Sequence, residues 1–534
     1  MTLKKRFFFI GFIYLILFPG LYGQENNGPF QDETGENTAI AANGNDTAQN
    51  VYYIRTVNFD RQGRSTLWAL TEKGEFTLGE KINGEKNLEN YINHKIQVLL
   101  NQRVLEEVYI DYTLADAGTD GLIPVDLSVR TIDTRNFIIL PEPKYDSNSG
   151  LELTLKIRDY NFLGSMSPLR IDLGYLYDEK DQHGLLLEID SDIPFQAFGY
   201  KWNLNFDNEF NYTQGSPFYF KNTTGLSMDL PFKKTTFTFG FDQSLLVNEE
   251  NNTDDAIDDG PYFQDRWYMS SEVYTQWKIP LGVTVGSFGP LTYTPKLSGA
   301  IKYRPNGDIG EYRKGPAITP SHSLGFGVIN WIGNYRKGVE VSLENSNTYN
   351  INRASWDTTI SFSAVGHLPI SEDLGISGRL KYQHWFFDSK GIPLVYGNEH
   401  FYVYSDGGDV LRGIKNSHLP VRYMLSLNMD FTVRLFRFVP SEWFHNPRFH
   451  FFDFELHGSP FIDLALAEDP VHNRSFSPKN ILAAGGLELI VFPLAMRSFY
   501  LRLSLGTDLQ ELIKTARFFP SGNRELFIGV GHFY

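Results

Sequence analysis

The chain has 534 residues, a net charge of -15, no cysteine and an aromatic content of 15%, carried mainly by 43 phenylalanines and 29 tyrosines. The absence of cysteine excludes disulfides and thiolate metal sites, the acidic balance argues against nucleic-acid binding, and the length exceeds that of one ordinary domain. The mean hydropathy is only -0.28, so composition fits a transmembrane β-barrel and a soluble β-protein equally well.

Residues 1–23 have the order of a secretory signal peptide. Three basic residues precede an apolar stretch over 7–18, and the small residue Gly23 marks the expected cleavage site. The apolar stretch is too short to span a membrane, and no cysteine follows it for lipid attachment. The signal therefore favours an exported β-barrel. Residues 24–50 contain five acidic residues and no Lys or Arg, which predicts a disordered acidic linker.

Residues 51–133 predict a small α/β domain. A strand over 51–59 is followed by a helix capped by Ser65, by a second helix that starts near Asn87, and by two strands with alternating apolar residues. The order is thus strand, helix, helix, strand, strand. In so small a sheet we expect one edge to stay unpaired, and an open edge accepts a strand of another chain by β-augmentation.

From residue 134 to residue 534 the helical period disappears and strands of period two follow one another. The longest example runs over 423–435, where apolar residues alternate with polar or small ones. A soluble sandwich also alternates, but its strands average nearer about six residues. Long strands repeated over this much chain predict a transmembrane antiparallel β-barrel, so the expected fold class is mainly β with one small α/β domain in front.

The last nine residues alternate as well. Leu526, Ile528, Val530 and Tyr534 fall on one side of the strand, and Phe527, Gly529, Gly531 and Phe533 fall on the other. An aromatic residue at the end of such a strand suits a barrel-closing strand whose tip lies in the interfacial belt of a membrane. The two glycines offer little side-chain packing, which predicts a weak seam between this strand and the first one.

Patterns that carry catalysis are scarce. The sequence has no G-x-S-x-G and no H-E-x-x-H motif. The acidic cluster at 254–259 lacks the alternating ligand spacing of a calcium loop, so we interpret it as a solvated extracellular loop, with weak cation binding as the alternative. Of three neighbouring histidines, only His457 shares the inward parity of Asp463. We therefore expect no enzyme and no metal or other cofactor.

One loop differs from an ordinary turn because of the strands that follow it. Residues 407–414 read Gly-Gly-Asp-Val-Leu-Arg-Gly-Ile, and the strand over 451–466 turns its apolar residues outward. The acidic residues expected to face the lumen are Asp453, Glu455 and Asp463 of that strand and Asp430 of the strand before it. A loop tip folded into the barrel would pair Arg412 with Asp463 in a charge-assisted contact.

Residues 51–534 resemble the BamA/TamA-type outer-membrane assembly superfamily, in which periplasmic POTRA domains precede a barrel of about sixteen strands. The α/β region has the POTRA order of elements, here once only, and 159–164 resemble the D-x-N-x-x-G turn after an early barrel strand. Residues 410–414 resemble the V-R-G-F/Y tip of a loop that enters the barrel, and 461–463 resemble the F-x-D strand whose acid holds that arginine.

The resemblance implies a latch of Arg412 and Gly413 against Asp463, with Asp430 where the family usually has Glu. It also implies that the terminal segment is the signal read by the assembly machinery. The sequence departs from the family at three positions: Leu411 is inserted before the arginine, Ile414 replaces an aromatic residue, and Ala465 replaces a glycine.

The number of barrel strands follows from the same comparison. The sequence predicts five strands after the latch loop, as in the family, and about thirteen before it against about eleven expected. We assign the excess to a hairpin at 266–304 that extends from a long extracellular loop. The expected barrel therefore has about sixteen strands, and a larger barrel is the alternative.

The expected function is assembly, insertion or translocation of other proteins at the bacterial outer membrane, with the N-terminal domain in the periplasm. Clients would be unfolded outer-membrane or secreted proteins, captured at the POTRA edge and passed through the barrel seam. The expected partners also include outer-membrane lipid and periplasmic chaperones or accessory lipoproteins. The alternatives are a two-partner-type secretion pore and a passive porin or surface antigen, although a porin needs no periplasmic domain.

Overall fold

The computed structural model describes residues 50–118, 121–146, 150–177, 182–248, 266–286, 288–309, 315–352, 354–387, 393–396, 399–402, 405–406, 410–414, 420–421, 423–468, 474–516 and 524–530. The predicted signal peptide, the linker before Asn50, the acidic cluster at 254–259 and the terminal Gly531, Phe533 and Tyr534 lie outside these residues.

The N-terminal part is a four-stranded sheet with two helices. Its elements are β1 (Val51–Gln62), α1 (Leu67–Lys73), β2 (Lys81–Asn83), α2 (Glu85–Asn101), β3 (Leu105–Leu114) and β4 (Leu122–Asp133). The sheet order is β2-β1-β4-β3, with β1 and β4 parallel and the other pairs antiparallel. Each of the two central strands, β1 and β4, therefore pairs with a neighbour on both edges, while β2 and β3 form the edges of the sheet.

The start of α1 corrects the predicted cap. The hydroxyl of Thr66, and not that of Ser65, accepts a hydrogen bond from the amide of Ala69 and so caps the helix. Ser65 instead donates to the carboxylate of Asp133 at the end of β4 (2.7 Å). Both hydroxyls suit an N-cap by residue type, and the nearby carboxylate of Asp133 decides between them.

The rest of the chain is a closed antiparallel barrel of eighteen strands. They are β5 (Phe137–Asp146), β6 (Gly150–Asp159), β7 (Leu169–Tyr177), β8 (His183–Ala197), β9 (Tyr200–Thr213), β10 (Tyr219–Phe232), β11 (Thr235–Val247), β12 (Trp267–Thr284), β13 (Pro290–Tyr303), β14 (Pro316–Ile332), β15 (Tyr335–Asn350), β16 (Ser355–Pro369), β17 (Leu374–Phe387), β22 (Tyr423–Phe438), β23 (Phe454–Glu468), β24 (Leu482–Pro493), β25 (Leu501–Asp508) and β26 (Arg524–Val530).

Shorter elements lie in the barrel connections. Two hairpins, β18 (Pro393–Tyr396) with β19 (Glu399–Tyr402) and β20 (Ser405–Asp406) with β21 (Pro420–Val421), lie between β17 and β22. Two short helices, α3 (Pro440–Trp443) and α4 (Leu509–Thr515), follow β22 and β25. Of the helices in the described chain, none is long and apolar enough to cross a membrane.

The strands form a barrel because polar and apolar residues alternate along them. On β6, Leu153 and Leu155 are exposed on the outer surface, whereas Thr154 and Arg158 are buried inside. An apolar outer wall around a polar lumen is the arrangement that a lipid environment stabilises. The predicted fold class is thus confirmed: a mainly β, transmembrane antiparallel barrel behind a small α/β domain.

The strand count corrects the prediction of sixteen. The hairpin at 266–304 forms β12 and β13, which pair with each other and also with β11 and β14, so they belong to the barrel wall. A hairpin extending from a loop would lack those outer partners. The family's strand number was a worse guide here than the alternation of the residues themselves, which had indicated the two additional strands.

The two ends of the barrel differ. We call the end next to the α/β domain, where β5 begins, the proximal end, and the opposite end the distal end. Three proximal connections, 198–199, 233–234 and 333–334, are two-residue turns, whereas the long 388–422 connection is distal. The barrel thus has the short-turn and long-loop ends typical of outer-membrane barrels.

Candidate functional site: lumen loop, barrel seam and sheet edge

Residues 410–414, which we call the lumen loop, lie inside the barrel. The guanidinium of Arg412 is 2% exposed and faces Asp463 of β23, whose side chain is fully buried. Nε of Arg412 donates to Oδ2 of Asp463 (2.9 Å), and Nη2 donates to Oδ1 (2.7 Å). The amide of Arg412 donates to the same carboxylate at 2.9 Å. This bidentate geometry holds both the side chain and the backbone of the loop.

Two further carboxylates complete the surroundings of Arg412. Nη1 donates to Asp430 of β22 (2.7 Å) and to Glu488 of β24 (3.1 Å). Glu488 also accepts from Arg502 of β25 at 3.2 Å. The arginine therefore bridges three strands of the wall. Glu488 was missed in the sequence, although the alternation of Leu487, Glu488 and Leu489 already placed it on the inward face.

The apolar residues of the lumen loop explain how the loop packs without the family's aromatic residue. Val410 and Leu411 are buried in one cluster with Met424, Ala465 and Ala467 of the wall. The small alanines leave room for Leu411, the residue inserted relative to the family motif. The carbonyl of Val410 also accepts a hydrogen bond from the Asn428 amide (2.8 Å).

Glycines and one aromatic ring bring the loop close to the wall. Gly413 has φ +88, a conformation that favours glycine, and its α-carbon faces Gly506 of β25 so closely that a Cβ on Gly506 would lie 2.9 Å away. The ring of Phe461 lies 3.8 Å from the Arg412 guanidinium carbon. Gly486 leaves space for that ring, since a Cβ there would be 2.8 Å from it.

The barrel closes between its first and last strands, β5 and β26. The described pairing at this seam is Glu525 with Asp146 and Leu526 with Tyr145. By contrast, β5 pairs with β6 along its whole length.

Two prolines explain why the seam is short. Asn136 and Tyr160 form a hydrogen-bonded pair, because the amide of Tyr160 donates to the carbonyl of Asn136. The β5–β6 ladder continues in the same register. The backbone N–H and C=O groups of even-numbered β5 residues therefore point toward β6. Odd-numbered residues, including Pro141 and Pro143, therefore direct their backbone groups toward β26. Proline has no N–H to donate, so it removes a hydrogen bond on the side that its backbone faces. Continued pairing toward Val530 would thus lack two donors.

The inward face of β26 is more closely packed than the sequence predicted. Phe527 folds back over Gly529, since a Cβ on that glycine would overlap its ring. The guanidinium carbon of Arg502 lies 4.4 Å from the same ring. Gly529 therefore makes space for an aromatic ring and does not leave a gap, so the weak seam stays a prediction and the prolines of β5 are the feature beside the short described pairing.

The sheet edge of the α/β domain is formed by β3. Among the described strands β3 pairs with β4 only, so the backbone groups of its other side are available. Tyr109 and Leu114 are exposed on this strand. A strand of ten residues that has one open edge and exposed apolar side chains is the kind of edge to which another strand can add.

The α/β domain contacts the proximal rim of the barrel at several separated places. Arg64 donates two hydrogen bonds to Asp159 at the end of β6 (2.7 and 3.1 Å). Glu72 of α1 forms an ion pair with Lys201 at the start of β9. At the β14–β15 turn, Asn101 of α2 donates to the Asn330 side chain at 2.8 Å. These turns lie at different positions around the rim, so the domain spans part of the opening.

Arg103 contributes a partly buried cation to this contact. Its guanidinium carbon lies 4.0 Å from the Trp331 ring, and Nε donates to the carbonyl of Arg497. Burial lowers the pKa of Arg103 to about 10, with a smaller opposing effect of Tyr500. The side chain therefore stays charged at neutral pH and binds the barrel rim as a cation.

Two further residues that the sequence singled out, His457 and Asp453, lie apart from the lumen loop and make local contacts. His457 is fully buried beside Glu455 (3.1 Å), and within the described residues no group of three potential ligands has the geometry of a metal site. Asp453 does not face the lumen as predicted. Its carboxylate accepts hydrogen bonds from Ser441 and His450 in the connection after β22.

Solved structures with a similar fold include BamA from Haemophilus ducreyi lacking POTRA domains 1-3, at 14% identity and a TM-score of 0.34, with 90% of this chain and 84% of that chain covered. CdiB from Acinetobacter baumannii has 13% identity and a TM-score of 0.41 over 90% of this chain and 74% of that one. CdiB from Escherichia coli has 10% identity and a TM-score of 0.36 over 93% and 92%. No family model and no curated protein matches the chain.

Proposed function

We propose that this protein inserts or translocates other polypeptides at the bacterial outer membrane, using the β3 edge to capture an unfolded strand and the β5–β26 seam to release it into the membrane. Clients are unfolded outer-membrane or secreted proteins, delivered by periplasmic chaperones or accessory lipoproteins. No cofactor is required, because burial of the client's apolar face and pairing of its backbone supply the free energy.

The observation that carries the proposal is the direction of Pro141 and Pro143. Both direct their donor-free backbone nitrogen toward the closing strand, so the seam lacks hydrogen bonds that other wall pairs form. Each missing backbone hydrogen bond lowers the stability of the closed seam by about 0.5–1.5 kcal/mol. Single prolines also interrupt the pairing elsewhere in the wall, at Pro320 and Pro460. The seam differs because two alternate prolines of one strand face the same neighbour.

The contents of the lumen distinguish the proposal from a passive porin. The lumen loop is held by Arg412 and its three carboxylates, and the α/β domain spans part of the proximal opening. Both features oppose free solute diffusion. They also support a second candidate, a secretion pore in which the lumen loop withdraws and the client passes through the barrel.

A reversible lock on the seam tests the proposal. The backbone groups of Asp146 point toward β6, so its pair with Glu525 across the seam is a non-hydrogen-bonded pair. The α-carbons of such a pair are about 4.5 Å apart, which a disulfide can span. The cysteine-free chain allows the double variant Glu525→Cys with Asp146→Cys. The matched control is Thr223→Cys with Ser244→Cys in the wall pair β10–β11, whose hydroxyls lie 2.9 Å apart.

The assay uses the full chain in vesicles and a small, urea-unfolded outer-membrane barrel protein as the probe client. We expect the oxidised seam to stop client folding, reduction to restore it, and the oxidised control to stay active. Equal activity of the two oxidised variants would overturn lateral insertion. A locked seam that still exports a secreted polypeptide would favour the pore.

A further inference from the structure

The connection between β22 and β23, residues 439–453, presents its aromatic side chains to solvent. Trp443 is 56% exposed and Phe444 is 66% exposed, and the other exposed rings of this aromatic segment are Phe449, Phe451 and Phe452. It is the longest of the described proximal connections. A segment of a soluble surface would bury these rings, so their exposure requires an explanation.

The backbone of the aromatic segment is ordered by its polar residues. Asp453 is buried and accepts hydrogen bonds from the amide and hydroxyl of Ser441 and from Nδ1 of His450 (2.9 Å). The side chain of Asn446 accepts from the amide of Arg448 at 3.0 Å. The polar groups thus point inward and hold the turn, and the rings are left outside.

The exposed rings continue the lipid-facing wall. A β-bulge near Leu435 and Phe436 turns both residues outward. From there the ring of Phe436 contacts Phe454 (5.9 Å), Phe454 contacts Phe438 (5.3 Å), and Phe438 contacts Trp443 (5.0 Å). The apolar surface therefore runs without a break from the barrel wall onto the connection.

Charge on the segment fits a phosphate-bearing surface. Arg448 of the segment is exposed and pairs with no described acid, and two histidines, His445 and His450, lie among the rings. Arg437 at the end of β22 is half exposed beside them and is partly balanced by Glu442 at 3.6 Å. Aromatic rings with cations beside them are the composition of interfacial membrane anchors, in which rings lie at the headgroup level and cations meet phosphates.

We propose that residues 439–453 are an interfacial anchor that inserts its rings into the periplasmic leaflet of the membrane beside β22 and β23, with lipid phosphates bound by its cations. The segment also contacts the α/β domain. His450 lies 3.8 Å from Glu106 of β3, and Arg135, in the connection between that domain and β5, lies over the Phe451 ring at 5.5 Å. The anchor thereby holds the open β3 edge next to the membrane surface.

The test measures the depth of single labels in the full chain. An environment-sensitive fluorophore is placed on Phe444→Cys in the segment, on Leu435→Cys in the wall, or on Leu78→Cys, an exposed apolar position of the α/β domain. Each variant is reconstituted in vesicles of phosphatidylethanolamine and phosphatidylglycerol that contain a lipid with a nitroxide at the headgroup or along the acyl chain.

We expect headgroup nitroxide to quench the label at 444 several-fold more than the label at 78, and acyl nitroxide to quench the label at 435. A label at 444 that is quenched no more than the one at 78 would overturn the anchor. So would emission at 444 that changes with protein dilution but not with nitroxide lipid, because the rings would then face a second copy. Neither quenching result depends on the seam.

Discussion

The main chain of Gly413 in the lumen loop packs directly against the main chain of Gly506 in β25, so a side chain on either glycine would clash with the facing backbone. Gly413 directly follows Arg412, whose guanidinium binds three carboxylates of the barrel wall. The charge cluster and the close backbone approach therefore depend on each other.

Replacing Gly506 should displace the lumen loop. In Gly506→Ala the new methyl would lie 2.9 Å from the Gly413 α-carbon and amide nitrogen, closer than packed atoms tolerate. We expect a higher ion conductance of the full chain in planar bilayers. The matched control is Gly299→Ala on β13, where a Cβ meets nothing within 4 Å. Equal conductance of the two variants would show that the loop does not block the lumen.

Removing the Arg412 side chain should destabilise the docked lumen loop more strongly than Gly506→Ala does. Arg412→Ala leaves Asp463 and Asp430 buried without their cation, a loss of about 3–5 kcal/mol for a buried pair. Urea unfolding of the full chain measures it. The control is Arg170→Ala, which breaks a half-exposed lumen pair with Asp190 and should cost about 0–1 kcal/mol.

Exchange of charges gives a second test of the same cluster. The double variant Arg412→Glu with Asp463→Arg should recover part of the stability that either single change loses. Recovery should be incomplete, because Asp430 and Glu488 still face position 412. No recovery at all would argue that the two side chains do not interact.

Replacing the seam prolines should tighten the seam. Pro141→Ala with Pro143→Ala restores two backbone donors that face β26, each worth about 0.5–1.5 kcal/mol once paired. We expect slower folding of the probe client and slower hydrogen exchange of β26 amides. The control is Pro460→Ala on the outer face of β23, away from the seam. Faster client folding in the seam variant would contradict the role given to the prolines.

Loss of the Arg103 side chain should loosen the α/β domain from the rim. Arg103→Ala removes the contact with the Trp331 ring and the hydrogen bond to the Arg497 carbonyl. Nitroxides on Leu78→Cys and Phe198→Cys, one in the domain and one on a barrel turn, report the separation by pulsed electron resonance. We expect a broader distance distribution, and no broadening for Arg130→Ala on the exposed face of β4.

Alternation predicted the barrel and the inward direction of Arg412's acidic partners, because side-chain direction along a strand depends only on parity. Parity also placed Glu488 inside, but nothing local marked it as a partner, since that depends on how far β24 lies from the loop. The Thr66 cap depended on the tertiary position of Asp133. The role of Pro141 and Pro143 depends on which neighbouring strand their backbone groups face, and the hydrophobic pattern does not determine this.

The most direct test of lateral insertion is photo-crosslinking of a client caught during folding. A photoreactive residue replaces Leu526 at the β26 side of the seam or, in a separate protein, Thr223 in the lumen wall. Our account predicts that the client's last strand cross-links at position 526. Cross-links at 223 with none at 526 would contradict it and favour passage through the lumen.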